Sequence, residues 1–235
     1  MFYDPNAPIS QNDVIFEDNH LIAINKKPGQ ISQGDATGDD SLVEMVRTFI
    51  KKKYNKPGNV FCGLIHRLDR PVSGVILFAK TSKALERCNK MFQNKEFKKT
   101  YWALTNEAPR EEQATLTNWL RKDNTTNKTK CFNKEVKYSK KASLDYELIG
   151  SLGGKYLLEI HPKTGRSHQI RSQLSYHHMP ILNDVKYRGE EAHRERFIYL
   201  HSRSLSFVHP IKKEPVKITA NTPPFQIWDL FRTIK

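Results

Sequence analysis

Cysteine is scarce in this 235-residue chain: Cys62, Cys88 and Cys131 are three in number, widely spaced and without a C-x-x-C pair. Neither a disulfide framework nor a thiolate zinc site is indicated, and reduced thiols are expected. Long apolar runs are missing as well. The longest, Val75 to Ala79, falls far short of the roughly 20 residues that a membrane-spanning helix requires. The opening MFYDPNAPISQND is polar, with two prolines and two Asp. It lacks the basic-then-apolar plan of a secretory signal, so a cytoplasmic address is expected. No repeat, low-complexity tract or Gly/Ser-rich linker divides the chain, and a single domain over 1–235 is expected. The most unusual shortage is of acid: 25 Asp and Glu stand against 39 Lys and Arg, a formal charge of +14. Such a surface field selects polyanions, nucleic acid first, because neutralised phosphates release counterions.

What is present supports a packed interior: 37% of residues are apolar and 10% aromatic. Val14 to Phe16 and Leu21 to Asn25 read as strands around a polar turn. Ser41 and Glu44 form a capping box, after which Leu42, Met45, Val46, Phe49 and Ile50 recur at helical spacing, ending in Lys51 to Lys53. Val60 to Ile65 and Gly74 to Ala79 are β-prone and hold the polar segment His66 to Ser73 between them. Thr81 to Lys95 reads as a helix and Lys99 to Thr105 as a strand. Arg121 to Lys141 carries eight Lys/Arg against two acids, a candidate basic loop or hairpin. Ser143 to Leu148 and Lys155 to His161 form a hairpin turning at Gly150 to Gly154. A helix with Ile170 and Leu174 on one face follows, then a strand from Ile198 to Val208. A closing helix over Pro223 to Ile234 is expected from Phe225, Trp228 and Phe231. Strands outnumber helices and turns are short, which fits α+β rather than a doubly wound parallel sheet.

Three common chemistries fail on their residues. Gly150 to Lys155 lacks one residue of a phosphate loop and has Tyr156 where a magnesium-binding Ser or Thr belongs. Ser73 and Ser167 lack the surroundings of a hydrolase nucleophile. The nine histidines, His161, His168, His177 and His178 among them, include no H-E-x-x-H and no His/Cys cluster, so no metal is expected.

A lone acid in basic surroundings remains. Asp69 follows Arg67 by two residues, so on a strand they would share a face, and Arg70 and Arg166 add positive charge. A carboxylate so placed suits a nucleophile or base beside an anionic substrate, and equally suits a structural ion pair.

The stretch HRLDRPVSGVILFAK, His66 to Lys80, resembles the H-R-L-D-x-x-T-S-G-hydrophobic-A-K signature of the RluA-type pseudouridine synthases. LIAINKKPG, KTYWALT, TGRSHQIRSQL with PILNDVKY, and LHSRSLSFVHP resemble further segments of that family in the same order. Departures are modest. Val72 replaces the usual Thr, Lys26-Lys27-Pro28-Gly29 differs from the commoner N-K-P-A-G, and the residues after Ile31 lack the usual His-Pro.

The resemblance implies isomerisation of uridine to pseudouridine in ribosomal or transfer RNA, without cofactor or metal. It implies a mixed, mainly antiparallel sheet with flanking helices and a central catalytic cleft, with no separate N-terminal RNA-binding domain. Asp69 matches the essential aspartate, which either attacks the anomeric carbon or removes the neighbouring ribose proton. Tyr101 matches the tyrosine that stacks on the uracil. Arg166 matches the basic residue that pairs with the aspartate, and Leu200 an apolar position of the uracil pocket. His66 and Arg67 are positioned to stack in the gap left when the target base leaves its helix. Lys80, Gln169 and Arg171 belong to the same motifs, in backbone support or phosphate contact. RNA is the expected partner and a monomer the expected state, with the 121–141 segment selecting the target. Two rivals are a noncatalytic RNA-binding or RNA-folding module and a metal-independent ribonuclease using His66 or His168.

Overall fold

A computed structural model describes residues 4–34, 39–191 and 197–231. In chain order the elements are β1 (Val14–Glu17), β2 (Leu21–Lys26), α1 (Leu42–Lys53), β3 (Gly63–Leu64), β4 (Ser73–Ala79) and α2 (Ser82–Gln93). There follow β5 (Lys98–Thr105), β6 (Gln113–Asp123), β7 (Lys128–Phe132), β8 (Lys140–Leu152), β9 (Lys155–Pro162) and α3 (Gln169–Tyr176). The chain ends with β10 (Leu200–Val208), β11 (Pro215–Thr219) and α4 (Gln226–Asp229). Two compact units result, one of residues 1–98 with 202–223, the other of 99–201 with 224–235.

In the first unit β2 pairs antiparallel with both β1 and β4. The other edge of β4 is shared by β10 and the two-residue β3, and β11 pairs with β10. The expected strand over 60–65 is strand only at Gly63–Leu64, paired with Ala79 and Phe78, with Ile65 N–H donating onward to Leu77 O at 3.3 Å. All seven residues of β4 are buried, so the run is apolar without alternation. On one side α2 delivers Ala84, Cys88 and Met91, one helical face, onto Leu21, Ala23, Val75, Leu77 and Leu205. The Thr81 and Ser41 side chains cap α2 and α1 by accepting from Ala84 and Glu44 backbone N–H groups. Leu42, Met45, Val46 and Ile50 are the buried face of α1, each worth about 1.5–3 kcal/mol on burial.

The second unit is an antiparallel array in the order β5-β9-β8-β6-β7. Here the strands alternate. Leu116, Asn118 and Leu120 of β6 are buried and Thr115, Thr117 and Trp119 face away. Helix α3 lies on the buried side, where the Gln173 amide donates to Leu116 O and Asn118 Oδ1. Of the loop or hairpin expected over 121–141, the structure has the hairpin, β6 pairing with β7. The Asp123 carboxylate accepts from Thr125 N–H, Thr125 hydroxyl and Thr126 N–H at 3.0, 2.6 and 3.4 Å, bonds that hold it down to about 2. The closing helix is four residues long, with Phe225 stacked on Phe197 and Trp228 against Tyr199. Residues 232–234 of that expectation lie outside the described residues. The α+β expectation stands in both units. No helix among the described residues is long and apolar enough to cross a membrane.

Candidate active site

Asp69 lies in the irregular stretch between β3 and β4. Strand parity therefore does not govern it, and the expectation that Arg67 and Asp69 share a strand face is corrected. The loop is pinned on both sides of the acid. Leu68 and Val72 are buried, and Val72 N–H closes a turn onto Asp69 O at 3.0 Å. Ser32 hydroxyl donates to Leu68 O at 2.8 Å and accepts from Leu68 N–H at 3.1 Å, while Gly29 N–H donates to Arg70 O at 2.8 Å. Asp69 is thus a partly exposed carboxylate on a loop whose backbone is held from within.

The strongest of these holds was not foreseen. Lys26, at the end of β2, is 0% exposed, and its ammonium donates to Val72 O at 2.7 Å, Arg70 O at 3.0 Å and Lys27 O at 3.1 Å. Burial pushes it down to about 7, against the pull of the Asp69 charge. Three carbonyls accept the three hydrogens of the charged form, which is how a buried lysine is tolerated here. Its sequence signal is faint: a lysine directly after the apolar run of LIAIN.

The neighbours of Asp69 divide. Arg70 pairs with Asp39 at 2.7 Å. His66 accepts Leu77 N–H at Nε2, 3.1 Å, and stacks on Phe92 with centroids 5.4 Å apart. Its Nε2 is therefore the unprotonated nitrogen. Arg67 is exposed. The Ser-Gly of the signature has a steric cause: Gly74 has φ +110, and a Cβ there would lie 2.2 Å from Ser202 O of β10. Lys80, at the far end of β4 from Asp69, pairs with Glu17 at 2.7 Å and donates to Asp18 O at 2.7 Å. Burial alone would raise the Glu17 carboxyl, but hydrogen bonds from Lys53, Lys80 and Tyr54 outweigh it and hold it low.

In the second unit Tyr101 of β5 pairs with Ile160 and faces the side where α3 lies. The loop Thr164-Gly165-Arg166 is folded around one amide. Gln169, 5% exposed, accepts Arg166 N–H at 3.0 Å and Thr164 hydroxyl at 2.7 Å, and donates to Ser143 O at 3.1 Å. Arg166 is exposed and its Nε donates to Lys141 O at 3.2 Å. Arg171 lies deeper, joined to Asp184 by two bonds of 2.7 and 2.8 Å, with its guanidinium 5.0 Å from the Tyr187 ring. Tyr187 hydroxyl accepts Thr129 N–H and meets His168 Nδ1, each at 2.7 Å. The Tyr187 hydroxyl thereby ties the hairpin backbone at Thr129 to the His168 ring at the start of α3. His168 starts α3 at φ 50, a left-handed position that this network holds. Leu200 opens β10 at 3% exposure.

The structure thus gathers His66, Arg67 and Asp69 on one loop, and Arg166, Gln169 and Arg171 around the start of α3. Asp184 and Tyr187, inside the quoted PILNDVKY, carry roles that only the fold discloses. Lys99 was also missed: it precedes Tyr101 by two, burial lowers its pKa, and its ammonium lies 3.7 Å from where a Gly165 Cβ would stand. Among the described residues no group of three or more His, Cys, Asp or Glu could hold a metal ion.

The geometry offers a supported acid in basic surroundings and a separately clasped arginine. Comparison with known proteins gives it a family. The model of the RNA pseudouridylate synthase family matches residues 20–176. Among curated relatives, tRNA pseudouridine synthase C of Vibrio cholerae is 29% identical, over 92% of this chain and 92% of its own length. Ribosomal large subunit pseudouridine synthase D of Borreliella burgdorferi is 31% identical, over 85% of this chain and 61% of its own. Human RNA pseudouridylate synthase domain containing 4 is similar in fold, with a TM-score of 0.77 at 22% identity over 94% of this chain and 92% of that one. With the signature around Asp69 inside the matched residues, the chain belongs to the RNA pseudouridylate synthase family, isomerases that turn uridine in RNA into pseudouridine.

Proposed function

We propose that this enzyme modifies a uridine of ribosomal or transfer RNA, the two substrate classes in its relatives' names, with Asp69 as the catalytic carboxylate. The observation that carries the assignment is the Asp69 loop, whose backbone is fastened by Lys26, Ser32 and Gly29 while the acid stays accessible. Asp69 either attacks the anomeric carbon or takes the neighbouring ribose proton. The ribose-to-nitrogen bond breaks, the uracil turns, and carbon 5 bonds to the sugar and loses its proton. Tyr101 stacks on the uracil, Arg166 keeps the carboxylate ionised and oriented, and Leu200 lines the uracil pocket. Asp69, Tyr101 and Arg166 are assigned together by the family signature, on the reading of the chain as one catalytic domain.

The target nucleotide must leave its stack, which costs a few kcal/mol that protein contacts offset. Arg67, exposed beside Asp69, suits the vacated gap, and His66 supports it from the loop's buried side. Lys80, Gln169 and Arg171 act on the substrate through the segments they hold. The reading needs no cofactor or metal and takes the enzyme as a cytoplasmic monomer.

Release of tritium from RNA labelled at uracil carbon 5, made without pseudouridine, tests it. Wild type releases tritium with the RNA chains intact, and Asp69→Asn loses at least about a thousandfold in rate while binding RNA as well or better. Release by both proteins removes Asp69 from the chemistry. Release by neither, with RNA still bound, favours a noncatalytic RNA-binding module, and cut chains favour a ribonuclease.

A further inference from the structure

Tyr138 is 79% exposed, the largest exposure of any large apolar side chain among the described residues. It also sits at φ 65, the left-handed region where turns ordinarily place Gly, Asn or Asp. The turn is firm: Ser139 N–H donates to Val136 O at 2.9 Å, and the Ser139 hydroxyl accepts Val136 N–H at 2.9 Å and donates to Val136 O at 2.6 Å. A bulky ring is therefore held out into solvent, on strained backbone, by a fixed support. Among the described residues the ring's one polar or aromatic partner is the Lys137 ammonium, and such outliers cluster where a ligand does.

The surroundings identify that ligand's chemistry. Lys137 places its ammonium 5.1 Å from the Tyr138 ring. Nearby, the outward side of β6, β7 and β8 sets Trp119 in register with Phe132 and Lys141, and Arg121 in register with Lys130. The Arg121 guanidinium lies 5.3 Å from the Phe132 ring. Of the two acids in 121–141, Asp123 is consumed by its own turn, leaving Glu135. Aromatic faces interleaved with cations match the alternation of bases and phosphates in a single strand, whose bases are available for stacking as a duplex's are not.

We infer that the 136–139 turn and the outward face of the β6–β7 hairpin form a docking surface for single-stranded RNA flanking the target uridine, with Tyr138 as a base-stacking platform. The inference rests on the reading of the chain as an RNA-modifying enzyme and deepens it: the strand contacted is unpaired, and the contact is to base faces rather than to sequence-specific edges.

Three probes separate the terms, each bound to the full chain: an oligouridylate of about 10 nucleotides, an RNA duplex of similar length, and dextran sulfate, a polyanion without bases. Wild type is compared with Tyr138→Gly and Tyr138→Phe. Glycine relieves the left-handed strain, so Tyr138→Gly melts at or above the wild-type temperature, and weakened binding cannot be blamed on unfolding. Expected is a loss of about 5- to 100-fold for oligouridylate in Tyr138→Gly, with binding kept in Tyr138→Phe and no comparable loss for dextran sulfate. Equal oligouridylate affinity in wild type and Tyr138→Gly overturns the inference, as does an equal loss for dextran sulfate or for the duplex. Failure of the synthase reading is seen separately: wild type would release no tritium while the Tyr138-dependent binding persisted.

Discussion

The two units solve opposite problems with β-strands. In the first, β2 and β4 are covered on both faces, so nearly every residue from Leu21 to Ile24 and Ser73 to Ala79 is buried. In the second, β6 and β8 bury alternate residues and give the rest to solvent. A strand without a solvent face is a rigid mount, and the loop leading into β4 presents Asp69, the carboxylate proposed for the chemistry. A strand with a free face can be written over with Trp119, Arg121, Lys130 and Lys141 without disturbing its core. The comparison teaches that full burial of a strand fixes the loop it leads from, whereas half-burial leaves a face whose side chains can change without cost to the core.

Removing Arg171 is the severest test on the second unit. Arg171→Met leaves the Asp184 carboxylate buried and unpaired, and about 3–5 kcal/mol of stability is expected to go, read from denaturant melts. If the loss is under about 1 kcal/mol, the pair is replaceable packing. Gly74→Ala strikes the first unit, forcing a Cβ to within 2.2 Å of Ser202 O; about 3 kcal/mol is expected, with amide exchange rising fastest along β4 and β10. A stable, active Gly74→Ala would show that β10 can shift and that the first unit is less rigid than its burial suggests.

Lys26→Met sharpens the contrast through pH. The unfolded lysine titrates near 10.5 and the folded one near 7, so between those values the unfolded chain holds more protons and stability gained from this residue rises with pH. Lys26→Met loses that slope. Its deficit against wild type, about 2 kcal/mol from orphaned carbonyls, is expected to be larger at about pH 9 than at about pH 6. A pH-independent difference would place the lysine's charge outside the loop's stability. The smallest effect is expected of Gln169→Ala, about 1–2 kcal/mol of stability. Because Gln169 fixes the backbone of Arg166, its tritium-release rate should fall further than the stability loss accounts for, with Gln169→Glu recovering the Thr164 bond but not the Ser143 one.

Much of the fold was legible because its signals are local. The capped helices at Ser41 and Thr81, the uninterrupted run into Ala79 and the alternation of β8 and β9 are periods of a few residues, and burial follows period. The candidate chemistry was legible as a linear motif, since one loop carries His66, Arg67 and Asp69. Where local reading erred, distant residues intervened. Arg70 pairs with Asp39, and the segment over 60–65 is strand only at Gly63–Leu64; of the loop or hairpin expected over 121–141 the hairpin forms, its turn capped by Asp123 and Thr129 anchored to Tyr187 and Ser167.

By itself, then, the sequence determined the class of elements, the cationic surface and the family of the reaction, all properties of composition, period or contiguous motif. Only the tertiary structure decided that Lys26 is the buried fastening of the Asp69 loop, that Gly74 is demanded by Ser202, and that Gln169 shapes the backbone at Arg166. It alone decided that Arg171 is matched to Asp184. Each depends on groups far apart along the chain meeting within hydrogen-bond or van der Waals range, and no pattern of neighbouring residues encodes such a meeting.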